Sequence, residues 1–260
     1  MSKKEKVEML RNHIKHHDYK YFVENDPDIP DEIYDKLMKE LEGLEEENPE
    51  LITEDSPTQV VGYNYKDSDF KNTLETVEHS EPVLSLQKAR NQEELDKWLN
   101  KMIKDYHGEK VELAYKADGL SVTLIYKDGV LDKAVTRGNG FKGENVTQSA
   151  LKIFTAMNYI ATDSEVERVR GEIVLPKHKL DIINKDREEN GEKEFSNCRN
   201  AAAGILRNKE ISDYVEDLVF YTHKEDLSIT EYELLPQNID AIIESCSKIE
   251  NNRDNLDFEI

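Results

Sequence analysis

Lys116 is the residue whose type and setting most directly indicate covalent chemistry. It opens the segment Lys116-Ala117-Asp118-Gly119, in which an Asp-Gly turn leads into an alternating strand. A lysine amine acts as a nucleophile when desolvation or neighbouring cations favour its deprotonated form. Taken alone, the motif favours a surface lysine beside a turn, because a four-residue pattern recurs by chance.

Three further segments carry groups that suit phosphate or ribose. Residues 136–140 form a glycine-punctuated loop with Arg137, and such a loop lets a guanidinium and backbone amides approach a phosphate. Arg170-Gly171-Glu172 places a glycine inside a predicted strand, where glycine is otherwise unfavourable. Residues 197–204 combine Arg199 with an alanine run, which by itself favours tight helix packing over a binding surface.

Hydrophobic periodicity predicts the elements that position these groups. Helical spacing predicts helices over residues 3–24, 31–44, 91–106, 177–189, 200–207 and 236–251, with Asp31 as an N-cap. Alternation and an Asp-Gly hairpin turn predict strands over residues 120–126, 130–136, 166–175 and 218–222. The fold class is therefore α+β, with an N-terminal helical module followed by antiparallel sheets and helices.

Charge is distributed unevenly along the 260 residues. The chain has 35 basic and 56 acidic side chains and a formal charge of −21, which argues against coating nucleic acid through bulk charge. Residues 111–210 are neutral, with 16 basic and 16 acidic side chains, so a polyanion site is expected there. The two cysteines predict a reducing, cytoplasmic compartment, and the sequence has no long apolar run and no expected membrane contact.

The order of these motifs resembles that of bacterial-type NAD-dependent DNA ligases over essentially the whole chain. The resemblance rests on the lysine motif, the Thr-Arg-Gly-x-Gly loop, the Arg-Gly-Glu strand and the alanine-rich segment that ends at Arg207. It extends upstream to residues 21–35, to Asp55-Ser56-Pro57-Thr58-Gln59 and to Leu84-Ser85-Leu86.

The resemblance implies a reaction and a set of residue roles. Lys116 matches the lysine that attacks NAD and carries AMP as a phosphoramide, before AMP passes to the 5′-phosphate of a nick in duplex DNA and the 3′-hydroxyl displaces it. Such phosphoryl transfer depends on alignment and on charge neutralisation, with Mg²⁺ as the implied metal cofactor. The remaining matches are Asp118, Arg137, Glu172 and Arg199 at the nucleotide, Ser85 and Leu86 lining the NAD site, and Arg207 on the DNA path.

The first seventy residues resemble the module that binds the nicotinamide half of NAD. Asp31, Tyr34 and Asp35 fall on one face of a helical turn, and Tyr21 matches a second aromatic position. A tyrosine can stack on nicotinamide and carboxylates can bind ribose hydroxyls. Without the resemblance, an N-cap and buried tyrosines would be the simpler interpretation. The module favours NAD over ATP and argues against an RNA ligase or a capping-type adenylyltransferase.

Several positions depart from the family pattern. Ala114 stands where a glutamate near adenine is usual, and Glu112 is predicted to share its face of the strand. Phe22, Asn139 and Cys198 replace a histidine or tyrosine, an aspartate and a proline respectively. These changes indicate a divergent branch that keeps the nucleophile.

The resemblance also predicts the domains. Residues 1–70 correspond to the helical nicotinamide-mononucleotide-binding module, and residues 71–260 to an adenylation (nucleotidyltransferase) domain that stops before the family's Asp-Gly-x-Val motif. We therefore expect either a second ligase subunit, which would supply the remaining motifs and the DNA-binding domains, or a shortened gene product. The alternative function is a non-catalytic subunit that binds NAD or a partner chain and has lost independent adenylation.

Overall fold

The computed structural model describes most of the chain as two compact units. The described residues are 3–21, 28–59, 74–83, 89, 91–153, 155, 158, 160 and 164–260. The first unit comprises Met1–Ser85 and Val135–Val146, and the second comprises Leu86–Ala134 and Thr147–Ile260. No helix among the described residues is long and apolar enough to cross a membrane.

Two helices build the core of the first unit, α1 (Lys3–Tyr19) and α2 (Asp31–Glu47). Val7, Leu10 and Ile14 recur at helical spacing on α1 and are buried together with Leu41 of α2. This apolar stripe explains why α1 is stable despite its many charged residues, because packing of one face supplies most of a helix's stability in a protein.

A buried ion pair fastens α1 and α2 to the following loop. Arg11 Nη2 lies 2.5 Å from Glu45 Oε1, and Arg11 also donates to the Leu51 carbonyl over 2.6 Å. The Ser56 hydroxyl donates to Glu45 over 2.6 Å, and Thr58 donates to the second oxygen of the same carboxylate. The Asp-Ser-Pro-Thr motif is therefore explained by two hydroxyl donors that satisfy a buried carboxylate.

A short antiparallel pair completes the described part of the first unit. Strand β1 (Thr76–Glu78) pairs with β5 (Lys142–Glu144), so that Val77 faces Gly143. The loop before β5 is held by His79, whose Nε2 lies 3.1 Å from the Thr136 carbonyl oxygen.

The second unit is built on an antiparallel sheet of four strands in the order β4-β3-β6-β7. These strands are β3 (Leu120–Lys127), β4 (Val130–Thr136), β6 (Val166–Val174) and β7 (Val219–Thr222). Val122, Leu124 and Tyr126 alternate along β3 and are buried, as are Ile173 of β6 and Phe220 of β7. One face of the sheet therefore forms the core, and the residues between these positions point to the other face.

A two-stranded sheet and five helices accompany the four-stranded sheet. Strand β2 (Lys110–Ala114) pairs antiparallel with β8 (Ser228–Glu233). The helices are α3 (Gln92–Asp105), α4 (Thr147–Ala150), α5 (Lys177–Glu189), α6 (Cys198–Leu206) and α7 (Ile239–Asn252). Asn91 and Asn197 cap α3 and α6 through their side-chain oxygens.

The α+β fold class is confirmed, with corrections to individual elements. Helix α1 ends at Tyr19 instead of residue 24. Asp31 is the first residue of α2 and not its N-cap, which is Pro30. The predicted boundary at residues 70 and 71 lies outside the described residues, so the division into residues 1–70 and 71–260 stays a prediction.

Candidate active site

Lys116 lies in the connection between β2, which ends at Ala114, and β3, which begins at Leu120. Glu112, Ala114 and Lys116 alternate as exposed residues, as predicted for one face of an extended segment. Ala117 next to it is 6% exposed and packs with Val174 of β6. Lys116 is itself exposed, so its side chain is accessible to a substrate.

Asp118 makes two hydrogen bonds, one through its side chain and one through its backbone, to other segments of the chain. Arg199 on the first turn of α6 donates to Asp118 Oδ1 over 2.8 Å. The backbone N–H of Asp118 donates to the Glu259 carbonyl over 2.7 Å. The structure therefore brings together two predicted site residues that are 81 positions apart, and it adds a C-terminal strand-like contact that sequence reasoning missed.

Glu172 lies on the face of β6 opposite the core. Its neighbours across the strands are Ser121 of β3 and Tyr221 of β7, and only 12% of its side chain is exposed. One carboxylate oxygen lies 3.5 Å from His223 Nε2. A recessed carboxylate is suited to accept hydrogen bonds from the hydroxyls of a sugar.

Gly171 explains why the Arg-Gly-Glu motif needs a glycine in a strand. A Cβ at this position would lie 2.3 Å from the Tyr221 carbonyl oxygen and 2.5 Å from the Phe220 ring. The glycine lets β7 approach β6 closely, and the close approach sets Glu172 beside Tyr221 on the opposite face.

Aromatic residues form an apolar patch beside the lysine segment that sequence reasoning missed. Phe258 packs edge-on to Tyr115, with ring centroids 6.0 Å apart, and at a tilt to Tyr221, with centroids 5.1 Å apart. These rings cover Ala117 and Val174. Little in the sequence indicates this patch, because Tyr115 and Tyr221 lie in separate segments that only the tertiary structure brings together.

A cleft of about 290 Å³ opens next to Asp118. Besides Ile260, its lining combines two cationic side chains, Lys177 and Arg253, with three carboxylates, those of Asp118, Asp254 and Glu259. Burial raises the pKa of Glu259, and the charge of Asp118 adds to this effect.

Helix α6 carries Arg199 on its first turn and is followed directly by Arg207. Ala201 and Ala202 between them are fully buried, so the alanine run serves tight helix packing. Burial also raises the pKa of the Cys198 thiol to about 11, with the charge of Glu259 contributing. The proposed contact of Arg207 with DNA stays a prediction.

The loop that carries Arg137 belongs to the first unit, whereas Lys116, Asp118, Glu172 and Arg199 belong to the second. Asn139 Oδ1 accepts hydrogen bonds from the backbone N–H groups of Phe141 and Lys142, each over 2.8 Å. This contact requires only an acceptor, which explains how asparagine replaces the family's aspartate. The role predicted for Arg137 at the nucleotide stays a prediction.

The predicted nicotinamide-binding residues come together in part at the facing ends of α1 and α2. The Tyr34 hydroxyl donates to Asp18 Oδ1 over 2.7 Å, and Asp18 is only 3% exposed. Burial raises the pKa of Tyr34, and the negative charges of Asp18 and Asp35 raise it further. Sequence reasoning missed Asp18 as the hydrogen-bond partner of Tyr34.

The structure describes only some of the other positions that the sequence predicted for the site. Asp31 is placed as the first residue of α2. Ser85, Leu86 and Phe22 lie outside the described residues. Glu112 and Ala114 share an exposed face of β2, as predicted, while any contact of Glu112 with adenine stays a prediction.

One group of side chains in the described part of the chain places its potential metal ligands close together. His16 Nε2 and His17 Nδ1 lie 3.1 and 2.7 Å from the two carboxylate oxygens of Asp28. The acidic residues at Lys116 form no such group within the described residues. An Mg²⁺ ion at the lysine would therefore depend on oxygen ligands from a nucleotide and from water.

The unit that carries Lys116, Glu172 and Arg199 includes an adenylation domain, which is a class of nucleotidyltransferase. The N-terminal helical module indicates which kind of nucleotidyltransferase this is. The chain belongs to the NAD-dependent DNA ligases: residues 71–234 match the NAD-dependent DNA ligase adenylation domain, and residues 1–62 match the DNA ligase-like, N-terminal NAD+-binding domain.

Curated relatives agree with this assignment. The chain is 34% identical to a DNA ligase of Acidobacterium capsulatum, with 98% of this chain and 42% of the relative covered. It is 37% identical to a DNA ligase of Rubrobacter xylanophilus, with 99% and 41% covered. It is 36% identical to one of Thermoanaerobacter sp., with 100% and 42% covered. The chain thus spans about two fifths of the length of these relatives.

Proposed function

We propose that Lys116 takes the adenylate group from NAD. The deprotonated Nζ forms a bond to the phosphorus next to adenosine while the bond from that phosphorus to the bridging oxygen breaks. Nicotinamide mononucleotide (NMN) leaves with the bonding electrons, and the ammonium proton passes to solvent. The observation that supports this proposal is that the exposed Lys116 lies two residues before Asp118, which is paired with Arg199.

Different residues of the proposed site bind different parts of NAD. Glu172 binds ribose hydroxyls of the adenosine, because its carboxylate is recessed and can accept hydrogen bonds from them. Arg199 neutralises phosphate charge and, through its bond to Asp118, stays oriented near Lys116. Arg137, Ser85 and Leu86 complete this half of the NAD site, and Tyr21, Asp31, Tyr34 and Asp35 bind the nicotinamide half.

Mg²⁺ is the proposed metal cofactor. When bound, it neutralises phosphate charge during transfer of the adenylate. Because Asp118 is paired with Arg199, the phosphates and water supply most of its ligands.

The later steps are proposed for the complete ligase, since the chain spans about two fifths of its relatives. AMP passes from Lys116 to the 5′-phosphate of nicked duplex DNA along a path that includes Arg207, and the 3′-hydroxyl then displaces AMP. This reaction serves DNA replication and repair. A second ligase polypeptide that supplies the remaining parts is the partner we propose.

The test uses NAD with a radioactive adenylate phosphate. The chain is incubated with Mg²⁺ and labelled NAD, with and without a candidate second polypeptide, and the protein is examined for covalent label. We expect label that Lys116→Ala abolishes and that the exposed-lysine variant Lys152→Ala retains. Label is expected to be weak without the second polypeptide.

Three outcomes decide between the proposals. Label that persists in Lys116→Ala would disprove the role of this lysine. NAD binding without label under any condition would favour the non-catalytic binding subunit. Sealing of nicked DNA by the chain alone, at the rate seen with the second polypeptide, would show that no partner is needed.

A further inference from the structure

Asp18 is a buried carboxylate that the proposed reaction does not yet use. It lies in the last turn of α1, is 3% exposed and accepts the hydroxyl hydrogen of Tyr34 over 2.7 Å. Burial of a carboxylate is costly without strong hydrogen bonds, so we expect Asp18 to have a role beyond packing. Its partner Tyr34 is one of the two tyrosines proposed to contact nicotinamide.

The hydrogen bond has two consequences for Tyr34. It fixes the phenol end of the side chain, which limits the orientations of the ring. It also polarises the hydroxyl toward a carboxylate, which increases the electron density of the ring face. Burial and the charges of Asp18 and Asp35 raise the pKa of this phenol, which keeps its proton in place.

The oxidation state of nicotinamide determines how it responds to such a ring. The oxidised ring of NAD and NMN is a pyridinium with a positive charge, whereas the reduced dihydronicotinamide ring is neutral. A cation over an electron-rich aromatic face is stabilised, and the stabilisation grows when the pair is shielded from water. A nearby buried carboxylate adds attraction for the same positive charge.

We propose that Asp18, acting through Tyr34, makes the N-terminal module select oxidised over reduced nicotinamide. This inference rests on the proposed binding of the nicotinamide half by Tyr34. Asp18 is a positioning and specificity residue, since it is buried, hydrogen-bonded to Tyr34 and not required to touch the substrate.

The selectivity is measured with the isolated leaving group. The full chain is titrated with NMN and with its reduced form, NMNH, by ligand-observed NMR, and the ratio of the two dissociation constants is compared among variants. We expect the wild type to bind NMN about tenfold more tightly than NMNH, a ratio typical of one cation–aromatic contact.

Asp18→Asn is the decisive variant because it keeps a hydrogen-bond acceptor and removes the negative charge. We expect its NMN affinity to fall about fivefold while its NMNH affinity changes less than about twofold. Tyr34→Phe keeps the ring and removes the hydroxyl, and it is expected to reduce the ratio in the same direction. Glu8→Gln on an exposed position of α1 changes the total charge equally and should leave the ratio unchanged.

Equal loss of NMN and NMNH binding in folded Asp18→Asn and Tyr34→Phe proteins would mean that Asp18 only supports the fold, and would overturn the inference. A wild-type ratio near one would overturn it as well. These results are separate from labelling of Lys116: label with a ratio near one keeps the proposed adenylation and rejects the role of Asp18. The expected ratio without any label keeps the role of Asp18 and rejects adenylation by this chain.

Discussion

The Arg199 guanidinium donates a hydrogen bond to Asp118 Oδ1 over 2.8 Å, which joins the start of α6 to the segment that carries Lys116. The pair is partly exposed, with 23% of the Arg199 side chain and 40% of the Asp118 side chain accessible. Partly exposed pairs add little stability, commonly ~1 kcal/mol or less. The contact is therefore better explained by orientation of the arginine than by stabilisation of the fold.

Arg199→Gln tests this explanation. We expect adenylate transfer to slow about 100-fold, because one charged donor to the phosphate is lost. Stability should change by less than ~1 kcal/mol. Labelling rates with radioactive NAD and urea unfolding measure the two effects on the same protein. A large loss of stability with an unchanged labelling rate would contradict the prediction. Arg187→Gln makes the same change on α5, outside the proposed site, and serves as the control.

We predict that packing of Phe258 stabilises the C-terminal segment next to Lys116. Phe258→Ala removes contacts with Tyr115 and Tyr221, and we expect a loss of about 1.5 to 3 kcal/mol in the free energy of unfolding. Phe258→Leu keeps much of the volume and should cost less than the alanine variant. Urea unfolding of the full chain gives both values. Equal stability of the wild type and Phe258→Ala would show that the segment does not pack there in solution.

Glu45 is predicted to be the most sensitive charged residue of the first unit. Burial alone would raise its pKa, but hydrogen bonds from Ser56, Thr58 and Arg11 outweigh burial and lower it. Glu45→Gln leaves the buried Arg11 without its counter-charge, so we expect a loss of about 3 to 5 kcal/mol. Thermal unfolding compares this variant with Glu46→Gln, an exposed neighbour expected to change stability by less than ~0.5 kcal/mol. Similar unfolding of the two variants would refute the prediction.

Asp55 provides a test by pH. Hydrogen bonds from Lys15 and Thr53 lower the pKa of Asp55 to about 2. Because this folded-state pKa lies below the unfolded value of ~3.9, the stabilisation is complete above about pH 4 and is lost as the pH falls toward 2. Asp55→Asn should be less stable than wild type by under ~1 kcal/mol at pH 6, with the difference shrinking at pH 3.

The Asp55 prediction is measured in two ways. An NMR titration of the Asp55 carboxyl carbon gives its pKa directly, and urea unfolding at pH 6 and pH 3 gives the stability difference. Glu54→Gln, at the neighbouring exposed position, is the control. A titration midpoint near 4 would mean that the contact with Lys15 is not maintained in solution.

Elements with a strong hydrophobic period were predictable from the sequence. The stripe of Val7, Leu10 and Ile14 predicted α1, and alternation around the Asp-Gly turn predicted β3 and β4. Strand β8 and its pairing with β2 were missed, because β8 carries charged residues on its exposed face. Their pairing joins segments about 120 residues apart, and local patterns do not encode such a partner.

The sequence by itself determined the family, the nucleophile candidate and the order of the motifs, because these depend on residue identity and spacing. Only the tertiary structure decided which groups meet: Asp118 with Arg199, Phe258 with Tyr221, and Tyr34 with Asp18. Each of these contacts joins side chains from separate elements, and its geometry follows from packing of the two elements. Residue type alone leaves that packing unspecified, since an exposed aspartate and a buried one look the same in the sequence.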